Sequence, residues 1–224
     1  MERIIKYLRS RNLVPILILY FSVGLAGMIV PATRGIFQSL TPFSLLASLA
    51  LLLIHHGKFS ARFWLVSFLI FLAGIAVEIA GVSTGLLFGE YSYGNTLGPK
   101  IFHTPVMIGV NWFLLVYSTL SIVDRYIETP YFRAVAAAVL MVVYDFALEP
   151  AAIQLDMWTW AGGAVPLQNY LAWFIIAFIF NYVGGRAGTF DRANKLALPL
   201  FFIQLGFFVA LDLWIYFSAI WDFS

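Results

Sequence analysis

Cysteine is absent from this 224-residue chain, which excludes a disulfide framework, thiolate metal sites and a cysteine nucleophile. Charge is scarce: 11% of residues are Asp, Glu, Lys or Arg, 62% are hydrophobic and the mean hydropathy is +0.91. A soluble globular domain does not have this composition; an integral membrane protein does. Histidine is limited to His55, His56 and His103. A membrane di-iron oxygenase needs several histidine clusters, so metal-dependent hydroxylation and desaturation are disfavoured and no metal site is expected. The pair His55-His56 reads as a rim position at a helix end. The only lysines are Lys6, Lys58, Lys100 and Lys195, none in the middle of an apolar run, so a retinal Schiff base has no partner. No glycine-rich dinucleotide fingerprint follows a strand, and Gly184-Gly185-Arg186-Ala187-Gly188 reads as a helix end and short loop. A serine-hydrolase elbow is also missing, and no cofactor site is visible.

What remains is long apolar runs. They cover roughly Leu13–Val30, Leu40–Ile54, Phe63–Val82, Pro105–Ile122, Phe132–Ile153, Asn169–Gly184 and Leu196–Phe217, most near the ~20 residues that span a bilayer. The expected fold is an all-α polytopic membrane helix bundle of about seven transmembrane helices, forming a single integral membrane domain over residues 1–224. Leu40–Ile54 is short and reads as tilted or partly interfacial. Arg3, Lys6, Arg9 and Arg11 precede a first run that is long for a signal peptide, so it is read as an uncleaved first helix.

Loop charge sets the expected orientation. Seven spans put Arg3, Lys6, Arg9, Arg11, Lys58, Arg62, Arg125, Arg133, Arg186, Arg192 and Lys195 on one side and only Arg34 and Lys100 on the other. By the positive-inside rule the N-terminus is cytoplasmic and the end Trp221-Asp222-Phe223-Ser224 extracytoplasmic, in a multi-pass protein of the cell membrane. The net charge of +2 is thus a topology signal, not a nucleic-acid footprint.

Four acids interrupt the apolar runs: Glu78, Asp145, Glu149 and Asp212. Ionised carboxylates are costly there, which makes them the functional-site candidates. A helix rises about 1.5 Å per residue, so Glu78 lies ~24 Å from Arg62, Glu149 ~24 Å from Arg133 and Asp212 ~26 Å from Lys195. Three helices bring acids to one level, and Asp145 lies one turn deeper on the face of Glu149. Asn111, ~20 Å from Asp124, reaches the same outer half.

Two loops lie on that side. The segment Gly81 to Gly94, with glycines at 81, 85 and 89, suits either close helix packing or a chain that leaves the helix and folds over a cavity. Its Tyr91 and Tyr93 belong either to an aromatic belt or to a pocket wall beside Glu78. Gln154 to Asn169 contains no Lys or Arg. Its Trp158 and Trp160 are either interfacial anchors or aromatic faces that stabilise a cation.

Glu78 with the Gly85 to Tyr93 segment, Asp145-x-x-x-Glu149-Pro150, Trp158-x-Trp160, and Val165-Pro166-x-x-Asn169-x-x-x-Trp173 together resemble the membrane carotenoid-biosynthesis hydratases, including the bacterioruberin and γ-carotene 1′,2′-hydratases. The resemblance runs from about Phe63 to Phe217; the first two helices carry no such motif. Gly163-Ala164-Val165-Pro166 departs from it where an aromatic-Gly-Val-Pro run would be expected.

The resemblance implies addition of water across the terminal double bond of an acyclic (ψ) carotenoid end group, giving a tertiary alcohol without a cofactor. Protonating an alkene needs a well-placed acid, and the resulting cation needs negative or π-electron density and one positioned water. Asp145 or Glu149 is the expected proton donor, the other acting with Glu78 on the water. Tyr91, Tyr93, Trp158, Trp160 and Trp173 would shield the cation, Asn111 and Asn169 would orient water or acid, and Asp212 lies outside the motifs. The expected partners are the carotenoid, water and the lipid bilayer, with no nucleic acid. Consecutive steps on a lipid-bound substrate would favour association with other carotenoid-biosynthesis enzymes. The same acids also suit a small proton- or cation-coupled transporter, and a non-catalytic carotenoid-binding scaffold is a further alternative.

Overall fold

A computed structural model describes residues 12–221. The basic residues Arg3, Lys6, Arg9 and Arg11 lie outside the described residues, as do Asp222, Phe223 and Ser224. Every apolar run forms a helix. They are α1 (Val14–Ile29), α3 (Thr41–Ile54), α4 (Ala61–Thr84), α5 (Met107–Val123), α6 (Pro130–Gln154), α7 (Leu167–Ala187) and α8 (Ala197–Trp221), and a short additional helix, α2 (Pro31–Ser39), precedes α3.

Among the described residues, α4, α6, α7 and α8 are each long and apolar enough to cross a membrane. The pair α2 and α3, bent by 53° at Leu40, passes the same test when taken together, which accounts for the short second run. A β/extended residue ends α1 at Val30, and prolines open α2 at Pro31 and α3 at Thr41-Pro42. Proline is accepted in a first helical turn because its missing N–H would have no intrahelical partner there.

α5 is the hub. It packs against α3, α4, α6, α7 and α8, and its side chains are buried from Ile108 to Val123. A helix that is apolar all round belongs in an interior. α6 lies along α7, and α1 packs on α8 at the edge. Close approach of α4 and α5 depends on Gly74, where a Cβ would sit 2.8 Å from Cβ of Trp112.

The connections separate into two ends. At one end Asp124 forms ion pairs with Arg133 and Arg192, and Arg125 donates to the carbonyls of Arg192 at 2.9 Å and Asn194 at 2.7 Å. The loop before α4 joins them through Gly57 N–H to Asp191 Oδ2 at 2.8 Å. His55 is half-buried, but the rim position expected for His56 is wrong: His56 is buried, with Nδ1 2.9 Å from the Tyr117 hydroxyl, which also accepts from the Asn194 amide at 2.9 Å. A polar knot of residues distant in sequence therefore closes this end of α5.

At the other end lie four short strands: β1 (Tyr91–Tyr93), β2 (Lys100–Ile101), β3 (Thr104–Pro105) and β4 (Trp158–Trp160). β2 and β3 form a hairpin whose two central residues, Phe102 and His103, have positive φ. β1 and β4 pair antiparallel and join the loop after α4 to the loop after α6.

Candidate active site

The β1–β4 ladder explains the site. Side chains alternate along a strand, so Tyr91 and Tyr93 share one face, as do Trp158 and Trp160. The register sets Tyr91 opposite Trp160 and Tyr93 opposite Trp158, while Ser92 and Thr159 face away with hydroxyl oxygens 3.3 Å apart. The chain reaches β1 because Gly85, at φ 67°, ends α4 in the left-handed conformation and turns the backbone over the helix end. Of the readings open for this segment, the fold-back over a cavity is the one adopted, and the tyrosines wall a pocket instead of joining an outer belt.

Beneath this cap, α4 presents Glu78 and α6 presents Asp145 and Glu149. All three are withdrawn from the surface, at 3%, 0% and 2% exposure. Glu78 Oε2 accepts from the Tyr91 hydroxyl at 2.6 Å and the Tyr93 hydroxyl at 2.7 Å, and Oε1 from the Trp112 indole N–H at 3.0 Å. Glu149 Oε2 accepts from both Trp158 and Trp160 indoles at 2.9 Å. Asn169, at the start of α7, donates to Asp145 Oδ2 at 2.8 Å and to Glu149 Oε1 at 3.4 Å. Asp145 Oδ1 is buried with no hydrogen-bond partner among the described residues. Burial first, then the neighbouring Glu78 charge, push both tyrosine hydroxyls above their ordinary range, so Tyr91 and Tyr93 stay protonated and donate.

These groups line one cavity of about 20 Å³, together with Asn111, Trp173, Phe88 and Ile108. That space suits a single water molecule. The Asn111 amide faces it without a hydrogen-bond partner among the described residues. Trp173 stacks on Trp112, with ring centroids 4.1 Å apart and planes at 17°. Tyr91 and Trp160 lie 5.1 Å apart, so the wall is largely π-electron surface around carboxylates. Aromatic faces and carboxylates around one small space can stabilise positive charge there. Among the described residues, no group of three or more His, Asp or Glu is placed to hold a metal ion.

The sequence-derived set thus converges, with one exception. Ten of its eleven residues line the cavity; Asp212 does not. Its depth counted along the sequence is similar, but Asp212 on α8 does not line the cavity. Two kinds of participant were missed. Trp112, whose N–H holds Glu78, follows Asn111 directly and carries the only indole in α5; a tryptophan within an apolar run was the available signal. The strands were the other omission, although Tyr-Ser-Tyr and Trp-Thr-Trp both show the period-two alternation of a strand.

A family model described as carotenoid biosynthesis protein matches residues 40–221. The chain belongs to that family. The carotenoid biosynthesis match takes in every residue lining the cavity and leaves out α1 and α2. Bisanhydrobacterioruberin hydratase from Haloarcula japonica is 29% identical over 139 residues, covering 55% of this chain and 46% of the relative. The chain therefore spans about half the length of this curated relative. No solved structure matches the chain.

Proposed function

We propose that this protein is a carotenoid hydratase that adds water across the terminal C=C of an acyclic (ψ) end group, forming a 1-hydroxy tertiary alcohol. The observation that carries the proposal is the pairing, inside one aromatic cavity, of a buried carboxyl oxygen free of hydrogen bonds with two carboxylates that each accept three. Asp145 Oδ1 gives its proton to the less substituted alkene carbon. The π electrons form the new C–H bond and leave a tertiary cation at the neighbouring carbon. Water attacks that carbon, and its proton passes to Glu149, with Glu78 orienting the water. Proton return to Asp145 through the pocket restores the acid, so the net change is addition of one water and no cofactor is required. Trp158, Trp160, Trp173, Tyr91 and Tyr93 hold π density around the cation, while Asn169 fixes the two α6 acids relative to each other.

The same reading takes the chain as a single seven-span domain of the cell membrane, its N-terminus cytoplasmic and its acids in the outer half. The polyene enters from lipid, and association with neighbouring carotenoid-biosynthesis enzymes follows from its insolubility in water. Similarity to the Haloarcula japonica hydratase and membership of the carotenoid biosynthesis family support the substrate class. Expression in cells that accumulate lycopene tests the proposal: pigments gaining the mass of one water per end group are expected. Unchanged pigment across several acyclic carotenoids would overturn it.

A further inference from the structure

The cavity holding the acids is too small for an isoprenoid end group and its chain, yet it does not stand alone. A second cavity of about 40 Å³ shares Ile108, Asn111 and Trp158 with it. A third, of about 140 Å³, shares Thr41, Leu45, Tyr144, Met157 and Phe208 with the second. The three form a row from beneath the β1–β4 cap to the flank of the bundle between α1, α3 and α8. Tyr20, Val23 and Leu40 line the outermost cavity and are 47%, 51% and 44% exposed, so it adjoins the exposed apolar flank of the bundle. Its walls and those of the middle cavity carry no charged side chain, whereas the inner cavity is lined by three acids. Aromatic rings from Phe21, Phe37, Tyr144, Phe207 and Phe208 dominate the outer part.

We propose that this row is the binding channel for the polyene chain, which enters between α1, α3 and α8 and extends past Tyr144 so that its end group reaches Ile108, Asn111 and Trp158, the residues shared with the cavity of the acids. An ion or a polar solute gains nothing from uncharged aromatic walls; a conjugated apolar chain is matched along its length. The cavities hold only the terminal part of a carotenoid, and the remainder stays in lipid. Leu45 and Gly24 control access. Leu45 lines both outer cavities, and a Cβ on Gly24 would meet only Phe207, at 3.8 Å, so a larger side chain there fits the backbone and fills the channel. The chemistry at the inner end rests on the hydratase reading; the channel itself does not.

The test uses the full chain in detergent with an acyclic carotenoid, reading binding by the induced circular dichroism of the polyene and hydration by mass. Leu45→Trp and Gly24→Phe should each weaken binding roughly tenfold, because the added ring occupies the space the polyene would fill. Leu19→Trp, on the outer face of α1 at 65% exposure, should bind as the wild type does. A photoreactive polyene on the wild-type protein provides a reading independent of any variant, with labelling expected at Phe207 and Phe208. Undiminished binding in folded Leu45→Trp and Gly24→Phe proteins, or labelling confined to the faces of α4 and α7, overturns the channel. Binding lost in these variants from a wild type that never hydrates leaves the channel standing and sinks the hydratase reading alone.

Discussion

Asn169 donates to Oδ2 of Asp145 at 2.8 Å and leaves Oδ1 of the same carboxyl buried and without a partner. One bond therefore fixes the rotation of the group, and Asp145 lines the water-sized space bounded by all three acids. An asymmetric carboxyl of this kind suits a proton donor better than Glu149, whose oxygens accept from three donors.

Asp145→Asn keeps the shape and removes the acid. Hydration should fall by about 10²–10⁴-fold, the range for a general acid. Carotenoid conversion, set against size-exclusion behaviour in detergent, is the check; wild-type turnover in a folded variant would remove Asp145 from the proton path.

Trp160→Phe and Trp158→Phe each take one N–H from Glu149 while retaining an aromatic ring. A hydrogen bond to a charged group contributes about 1.5–3 kcal/mol, so either variant should lose turnover by about one to two orders of magnitude, and the double variant more. Rates measured for the two singles and the double form a cycle, and strict additivity would argue against a shared action on Glu149.

High pH should reveal Tyr91 and Tyr93. Their hydroxyls are held above the ordinary value of about 10 in the folded protein, so the unfolded chain loses these protons first. Their stabilising contribution is complete below pH ~10 and declines as pH rises beyond it, because the folded state then binds more protons than the unfolded one. Thermal melts from pH 9 to 11 should show a steeper decline for the wild type than for the Tyr91→Phe/Tyr93→Phe double variant. Equal slopes would contradict the burial of these hydroxyls.

Gly74→Leu forces Trp112 away from α4, since even a Cβ there would approach Cβ of Trp112 to 2.8 Å. Loss of about 1–3 kcal/mol is expected from overpacking, with reduced turnover as the Glu78 bond to Trp112 breaks. Gly206→Ala, where nothing lies within 4 Å of the added Cβ, is the control and should melt at or slightly above the wild-type temperature.

Asp212→Asn should hydrate at the wild-type rate, because Asp212 does not line the cavity. A loss comparable to that of Asp145→Asn would require α8 to supply part of the catalytic centre.

The contrast between Asp212 and Asp145 explains what could be read from the chain. Counting residues along a helix yields depth, and depth alone grouped Glu78, Glu149 and Asp212. Rotation about the helix axis is a second coordinate, which only the i, i+4 spacing of Asp145 and Glu149 supplied. The helices themselves follow from apolar runs, because hydrocarbon leaves the backbone few alternatives. Strands β1 and β4 were hidden because each has three residues and finds its partner 67 residues away, so neither is stabilised locally. His56 was misread for the same reason: its partner Tyr117 lies 61 residues further on, and no local pattern announces that contact.

The donors that hold the acids share an order along the chain. Glu78 is followed by Tyr91, Tyr93 and Trp112, Asp145 by Asn169, and Glu149 by Trp158, Trp160 and Asn169. During synthesis each carboxyl emerges before any of the groups that receive it, and the α6 pair gains its last donor only once α7 has begun. Biogenesis thus carries three unaccompanied acids through the insertion machinery, and the centre is completed late, by the chain that closes over it.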